Sequence, residues 1–340
     1  MYEGLMKELE NVPYFGNDAY EDLSIILKIK ADAFDISDAE RQRLNEELEL
    51  IKQFNLSKII LFALDLVKDV RETCKVLSVE NYLYINYLLG ITDVNPVKYN
   101  FTYYRFFNER RRVLPEYWFF IKKGDKGKIL NRLYRNYGEN HFVKTANNKV
   151  CYFISQKDLV ESEVIKETII NAKLNEETYK ENFTNLTDRD LWGMNCYSFG
   201  LVEYDSLECV EKDFTEEEIY KKAQEIFEFL ESEPFPLNDI VEITAILKDT
   251  NNIMVYQDQL LDILNKVCGF SYVESDYLRR EMCKRKRSTL GEVVEVLKGK
   301  YGEEKGNIIF EYLLKCSKYS VSKGYVLAHL YNNIKFENIF

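Results

Sequence analysis

The chain has 340 residues, 46% hydrophobic and 30% charged, with 14 Gly and only 5 Pro, which excludes a disordered or low-complexity polypeptide and allows about two domains. Lys and Arg number 46 against 57 Asp and Glu, a net charge of −11, which argues against a uniformly basic nucleic-acid coat. The longest apolar run, Ile59 to Leu64, is far below the roughly 20 residues a membrane span needs, and Met1 to Glu10 has no basic-then-apolar leader pattern. A soluble cytoplasmic protein with no membrane partner is therefore expected.

In chain order, Ser37-Asp38-Ala39-Glu40 has capping-box form, and Leu44, Leu48 and Ile51 follow at helical spacing, which predicts an amphipathic helix ending near Asn55. Leu56 to Val70 is a second apolar, helical stretch. Tyr82 to Leu89 is rich in aromatics and stops at Gly90, before a turn at Asp93 to Pro96. Tyr117 to Ile121 is a short apolar run between Pro115 and a basic turn at Gly124, and it reads as a buried strand. Val150 to Ile154 and Gly200 to Tyr204 are further strands. From Thr215, which opens a second capping box with Glu218, the pattern is helical nearly to the end. Stripes occur at Ile219, Ala223, Ile226, Phe227 and Leu230, at Leu260, Leu261, Leu264 and Val267, and at Val293, Leu297 and Tyr301.

Charge is unevenly spread. Between Leu201 and Ile240 stand thirteen acids and three lysines, a local charge of −10, so the rest of the chain is close to neutral. Within that remainder lie three basic clusters: Arg105 with Arg110, Arg111 and Arg112; Lys122, Lys123, Lys126 and Lys128; and Arg279, Arg280, Lys284, Arg285, Lys286 and Arg287. Cations beside Tyr103, Tyr104, Phe106 and Phe107 suit phosphate-backbone binding, although any one cluster alone reads more simply as a solvated helix face. The seven cysteines are scattered without a CxxC, as in a reducing compartment, and His141 and His329 have no Cys or His at ligand spacing, so no zinc site or histidine-centred triad is expected. No dinucleotide fingerprint, Walker loop, zincin or nucleophile-elbow motif occurs.

Five collinear blocks carry a longer resemblance. They are Arg41 to Lys68 (RQRLNEELELIKQFNLSKIILFALDLVK), Leu88 to Asn108 (LLGITDVNPVKYNFTYYRFFN), Phe199 to Leu207 (FGLVEYDSL), Ile246 to Lys286 (ILKDTNNIMVYQDQLLDILNKVCGFSYVESDYLRREMCKRK) and Lys315 to Lys323. Together they resemble the catalytic core of the bacterial replicative DNA polymerase III α subunit, with its L-G-I-T-D-x-D-P run, Y-Q-E-Q helix and L-R-R-x-M-G-K-K fingers segment. The resemblance implies an α/β (α+β) nucleotidyltransferase-like palm with a reduced thumb, followed by a mostly helical fingers-like region. The corresponding division is a lead-in segment at 1–40, a palm-like domain at 41–210 with the reduced thumb at about 140–195, and a fingers-like domain at 211–340. The family's N-terminal phosphoesterase-like domain and its C-terminal clamp-binding, helix-hairpin-helix and OB parts fall outside the match and are expected to be absent.

Two departures bear on chemistry. The family's P-D-x-D-x-D-F strand and a downstream aspartate hold two Mg²⁺ ions about 3.5–4 Å apart. Here the strand reads Pro115-Glu116-Tyr117-Trp118-Phe119-Phe120-Ile121, which leaves Glu116 at the first acidic position and aromatics at the next two, while Asp205 matches the downstream aspartate. Indole and phenyl rings cannot ligate Mg²⁺, so Glu116 and Asp205 are expected to be catalytic remnants. No metal or other cofactor is expected, Mg²⁺ being relevant only to a residual polymerase activity. The family's Gly- and Ser-rich phosphate loop is replaced by Val76 to Ile85, which has no glycine.

The basic residues keep a nucleic-acid reading. Arg279 and Arg280 match the family's fingers arginines and Lys323 its lysine near the nucleotide; with Lys284, Lys286, Arg110 and Arg111 they form the expected phosphate-binding set. A solvated face, or ion pairs of Arg279 and Arg280 with Glu281 or Glu274, is the competing reading. Gln156-Lys157-Asp158-Leu159-Val160 loosely resembles a sliding-clamp-binding pentapeptide, but reads more simply as a helix start capped by Ser155. The expected function is that of a catalytically inactive polymerase homologue, an accessory factor binding DNA (primer–template or single-stranded) or other replication proteins. The alternatives are a protein–protein module or inhibitor that uses the acidic stretch around Glu216 to Glu218 without binding DNA, and a divergent active polymerase using Glu116 and Asp205.

Overall fold

The computed structural model describes residues 9–10, 12, 14, 16–77, 79–111, 113–137, 142–144, 150–154, 196–206, 208, 210, 212–227 and 233–333. Contacts divide the chain into two compact units, one of residues 1–97, 112–208 and 334–340, the other of residues 98–111 and 209–333.

The first unit is α/β. Asp18 caps α1 (Ala19–Phe34) by accepting from the N–H groups of Tyr20 and Glu21, and Leu23, Leu27 and Ala31 form its buried face. The Ser37–Glu40 capping box opens α2 (Asp38–Gln53) as the sequence indicates. Its buried face includes Glu47 and Leu50 beside Leu44 and Ile51, whereas Leu48 is only half-buried. Helix α3 (Ser57–Lys68) is apolar nearly all round and correspondingly buried, with Phe62 at its centre. The short strand β1 (Cys74–Val76) leads through a 3₁₀ turn at Val79–Tyr82 into α4 (Tyr84–Leu89).

The sheet contains β2 (Trp118–Lys122), β3 (Phe142–Lys144), β4 (Val150–Ile154) and β5 (Cys196–Tyr204), in the order β1-β2-β5-β4-β3. Helix α5 (Lys126–Tyr137) follows β2 directly. β2 and β5 run parallel, and every other neighbouring pair is antiparallel. Strand alternation sends Tyr117, Phe119 and Ile121 into the core, where Phe119 meets Phe62 edge-on at 5.9 Å and Phe199 at 6.2 Å between ring centres. Fully burying one such ring is worth about 2–3 kcal/mol, which explains how so short a strand is held. Trp118 and Phe120 project from the opposite face of β2.

The second unit is helical. Thr215 and Glu218 form the second capping box, opening α6 (Glu216–Ile226), and Ile219 and Ala223 are buried; Leu230 lies outside the described residues. Next come α7 (Val241–Leu247) and α8 (Gln257–Asp262), which passes without a break into one π-helical turn at Ile263–Val267. Helix α9 (Tyr272–Cys283) begins at a third capping box, Ser271 with Glu274. Helices α10 (Gly291–Tyr301) and α11 (Glu303–Ser317) form a tight antiparallel pair. A Cβ at Gly306 would lie 2.6 Å from the Lys298 backbone nitrogen, so glycine permits this approach. Ser322 caps α12 (Lys323–Asn332). Ile243, Leu260, Ile263, Met282, Val293 and Leu313 centre the core. Among the described residues no helix is long and apolar enough to cross a membrane.

An α/β region with a mixed sheet followed by helices is thus the architecture. Most of the segment read as a reduced thumb, and all of 156–160, lie outside the described residues.

Candidate functional site

In the first unit the two expected catalytic carboxylates do not converge. Trp118 pairs with Gly200 and Lys122 with Tyr204 in the parallel β2–β5 ladder, and the Gly200 N–H donates to the Tyr117 carbonyl at 2.8 Å. Glu116 precedes β2 and Asp205 follows β5, so they stand at opposite ends of the strand pair, about seven residue steps or roughly 20 Å apart. Two ions about 4 Å apart cannot be bridged by that pair. Between the two ends, the Trp118 indole lies directly over Gly200, where a Cβ would come within 2.3 Å of the ring, and Phe120 is buried beside it. The residues present do not fit the two-Mg²⁺ arrangement that the resemblance implies. Among the described residues no three His, Cys, Asp or Glu side chains group to hold a metal ion.

The segment that replaces the phosphate loop is packed, not open. Tyr82, Leu83, Tyr84 and Ile85 are buried, and the Tyr84 and Ile85 N–H groups at the start of α4 both donate to the Glu47 carboxylate at 2.9 Å. Arg43 reaches the same carboxylate at 2.5 Å and donates to the Tyr82 carbonyl at 3.0 Å. Burial raises the Glu47 carboxyl above its ordinary range, against the opposing pull of Arg43 and the two backbone donors. An internal carboxylate therefore occupies the donors that a helix start offers to an anion. The only sequence signal for it is a lone acid on an otherwise apolar helix face, beside Leu44, Leu50 and Ile51.

In the second unit the basic residues separate into two groups. Arg279 and Arg280 pair with neither Glu281 nor Glu274; both turn to Asp276, one helical turn earlier on α9. Asp276 is 1% exposed. It receives Arg279 Nη2 at 3.1 Å, Arg280 Nε at 3.2 Å, Arg111 Nε at 3.4 Å and the Asn108 amide at 3.1 Å. Arg105, 2% exposed, donates to Gln257 Oε1 at 2.8 Å, and Arg279 reaches the same oxygen at 3.4 Å. Burial alone would raise the Asp276 carboxyl, but Arg111, Arg279, Arg105 and Arg280 outweigh it and hold it at about 2. Burial and the neighbouring guanidiniums push Arg111 down to about 10, against the pull of Asp276. This cluster ties the 98–111 segment to α9.

The outward group begins where α9 ends. Lys284, Arg285, Lys286 and Arg287 are four consecutive exposed cations, with Arg285 in the left-handed region at φ 53°. Lys284 and Lys286 keep only long contacts to Glu281, at 3.6 and 3.7 Å, and remain more than half exposed. Arg287 pairs with Glu311 at 2.8 Å. Arg110, nearly half exposed, lies over the Tyr277 ring at 5.2 Å and 3.8 Å from Glu274.

Lys323 belongs to neither group. Its Nζ lies 2.7 Å from both oxygens of Glu216, and the ammonium is thereby engaged. The acidic start of α6 is largely engaged as well: Glu218 closes the capping box and accepts from Lys212 at 2.6 Å, interactions that lower its pKa to about 2, while Glu217 alone of the three is exposed. Carboxylates in a first helical turn are stabilised by the helix dipole, which accounts for much of this local acidity.

Residues 19–183 match the family described as the bacterial DNA polymerase III alpha NTPase domain, and residues 212–304 match the bacterial DNA polymerase III alpha subunit finger domain. Curated relatives include the DNA polymerase III subunit alpha of Staphylococcus epidermidis, 34% identical over 93 residues, which are 26% of this chain and 9% of that protein. The DNA polymerase III subunit alpha of Bacillus subtilis is 30% identical over 93 residues, 26% of this chain and 8% of that protein. The same subunit of Halalkalibacterium halodurans is also 30% identical, with the same coverage. The matched stretch thus spans under a tenth of the length of these relatives. Over its α/β region and its helical region, the chain is a DNA polymerase III alpha-like polypeptide.

Proposed function

We propose that this chain is a polymerase III alpha-like accessory protein that binds DNA without transferring nucleotides. The observation that carries the reading is the β2–β5 register, which holds Glu116 and Asp205 about 20 Å apart with Trp118 filling the face between them. The packed 79–85 segment supports it, because the backbone donors there already serve Glu47. Both features belong to nucleotide transfer, and both are built over with hydrophobic core or internal pairing.

DNA contact falls to the exposed run Lys284 to Lys286 rather than to Arg279, Arg280, Arg111 or Lys323. The latter four are committed to Asp276, Gln257 or Glu216, and pulling a guanidinium out of a buried cluster costs several kcal/mol. Exposed lysines and arginines on a surface turn lose little on meeting phosphate, since they only exchange water and counterions. The finger-domain match over 212–304, which includes this turn, agrees with a nucleic-acid role.

Primer extension tests the first half of the proposal. With labelled primer–template, all four deoxynucleoside triphosphates and Mg²⁺ or Mn²⁺, the chain is expected to add no nucleotide. Extension that disappears on Asp205→Ala would refute it.

A further inference from the structure

The helical unit contains a cleft of about 520 Å³, within the size range of small-molecule sites, bordered by residues 99–102, the 245–250 turn, α8 and the start of α12. Its walls carry four carboxylates (Glu216, Asp249, Asp258 and Asp262) and three amines. Two of the amines are already placed. Lys323 sits on Glu216 and 5.6 Å from the centre of the Tyr256 ring; Lys266 lies 2.8 Å from Asp262, which also accepts the Tyr272 hydroxyl at 3.2 Å. Both are ammonium groups seated on a carboxylate, and Lys323 also faces a tyrosine ring, the chemistry by which proteins recognise organic cations.

A further carboxylate of the cleft, Asp249, stands next to the third amine, Lys248, without pairing with it. Asp249 is exposed and forms no ion pair among the described residues. Tyr256 is 2% exposed, and its hydroxyl is buried without a hydrogen-bond partner. An orphaned buried hydroxyl costs about 1–3 kcal/mol, which calls for an explanation. Burial, and then the charges of Glu216, Asp258 and Asp249, hold this phenol strongly in its neutral form, so three carboxylates act on one hydroxyl. Asp258 accepts the Lys323 backbone N–H at 3.0 Å and is fixed by it.

We propose that this cleft binds an organic cation, a primary ammonium or guanidinium group, on Asp249 and Asp258 with the Tyr256 hydroxyl as acceptor. The excess of carboxylates disfavours a phosphate there, so the site is separate from the DNA contact above and does not depend on it. The group could be carried by a free polyamine or by a lysine or arginine of another protein, and the two sources offer the same chemistry.

Calorimetric titration of the full chain at low salt distinguishes them, with spermidine as the free cation, acetylated hexalysine amide as the peptide-borne one and inorganic pyrophosphate as the anion. At least one cation is expected to bind at one site. Asp249→Asn and Tyr256→Phe are each expected to weaken it about tenfold or more, as loss of a hydrogen bond to a charged group predicts, with the unfolding midpoint unchanged in the first and not lowered in the second. Preference for spermidine identifies a small-molecule site, and preference for hexalysine a protein-binding one. No cation binding, cation binding equal in wild type and both variants, or tighter binding of pyrophosphate overturns the proposal.

Discussion

The indole of Trp118 lies across Gly200 on the neighbouring parallel strand, so close that a Cβ at position 200 would stand 2.3 Å from the ring. The two residues form one packing unit on the sheet face where the family resemblance leads one to expect acids. Replacing Gly200 with Ala forces the indole or the strand to shift. The expected loss is about 1–3 kcal/mol, the usual cost of overpacking. In a Trp118→Ala background the same change is expected to cost much less, and urea midpoints for the four proteins measure that coupling. Additive effects would show that the indole and Gly200 are not in contact.

Asp276 holds the inward-facing arginines of the helical unit together. Four arginines surround or adjoin this one buried carboxylate, and Asp276→Asn leaves them facing one another. Breaking a buried ion pair from one side typically costs about 3–5 kcal/mol. Arg279→Ala is expected to destabilise in the same way and to leave the salt dependence of DNA binding unchanged. A stable Arg279→Ala protein with weakened DNA affinity would restore the fingers-arginine reading.

Acid sensitivity follows from His329. Burial, and then the charge of Lys222, lower it from 6.5 to about 4. Between those values the unfolded chain takes up a proton that the folded chain excludes, so stability falls as pH drops through this window. The expected loss is on the order of 3 kcal/mol from a shift of this size. Asp276, whose folded pKa is lowered, adds a further loss only below about pH 3.8. Urea unfolding at pH 7 and pH 5 should therefore show a difference that His329→Gln largely removes. An unchanged slope in that variant would assign the acid sensitivity to other groups.

Local signals in the sequence were legible where local physics decides the outcome. The capping boxes at Ser37 and Thr215 formed as read, because their bonds span only three residues. The strands around Phe119, Val150 to Ile154 and Gly200 to Tyr204 were found from apolar runs. What remained hidden depends on pairings distant in sequence. The three-residue strand β1 is too short to show a period, and the parallel register separating Glu116 from Asp205 is fixed by strands more than seventy residues apart. Arg279 and Lys284 look alike in a basic run. Only the helical period, with Asp276 one turn before Arg279 and the end of α9 at Cys283, separates the inward from the outward cations.

The claim that the exposed turn at Lys284 to Lys286 meets DNA is tested most directly by fluorescence anisotropy. Labelled primer–template is titrated with wild type and with the triple variant Lys284→Ala, Arg285→Ala, Lys286→Ala between about 50 and 200 mM salt, the range in which counterion release dominates. Wild-type affinity is expected to fall steeply with salt and the variant to bind more weakly, with a log–log slope shallower by about three. Equal affinity and slope in the two proteins, or no wild-type binding at the lowest salt, would contradict the claim.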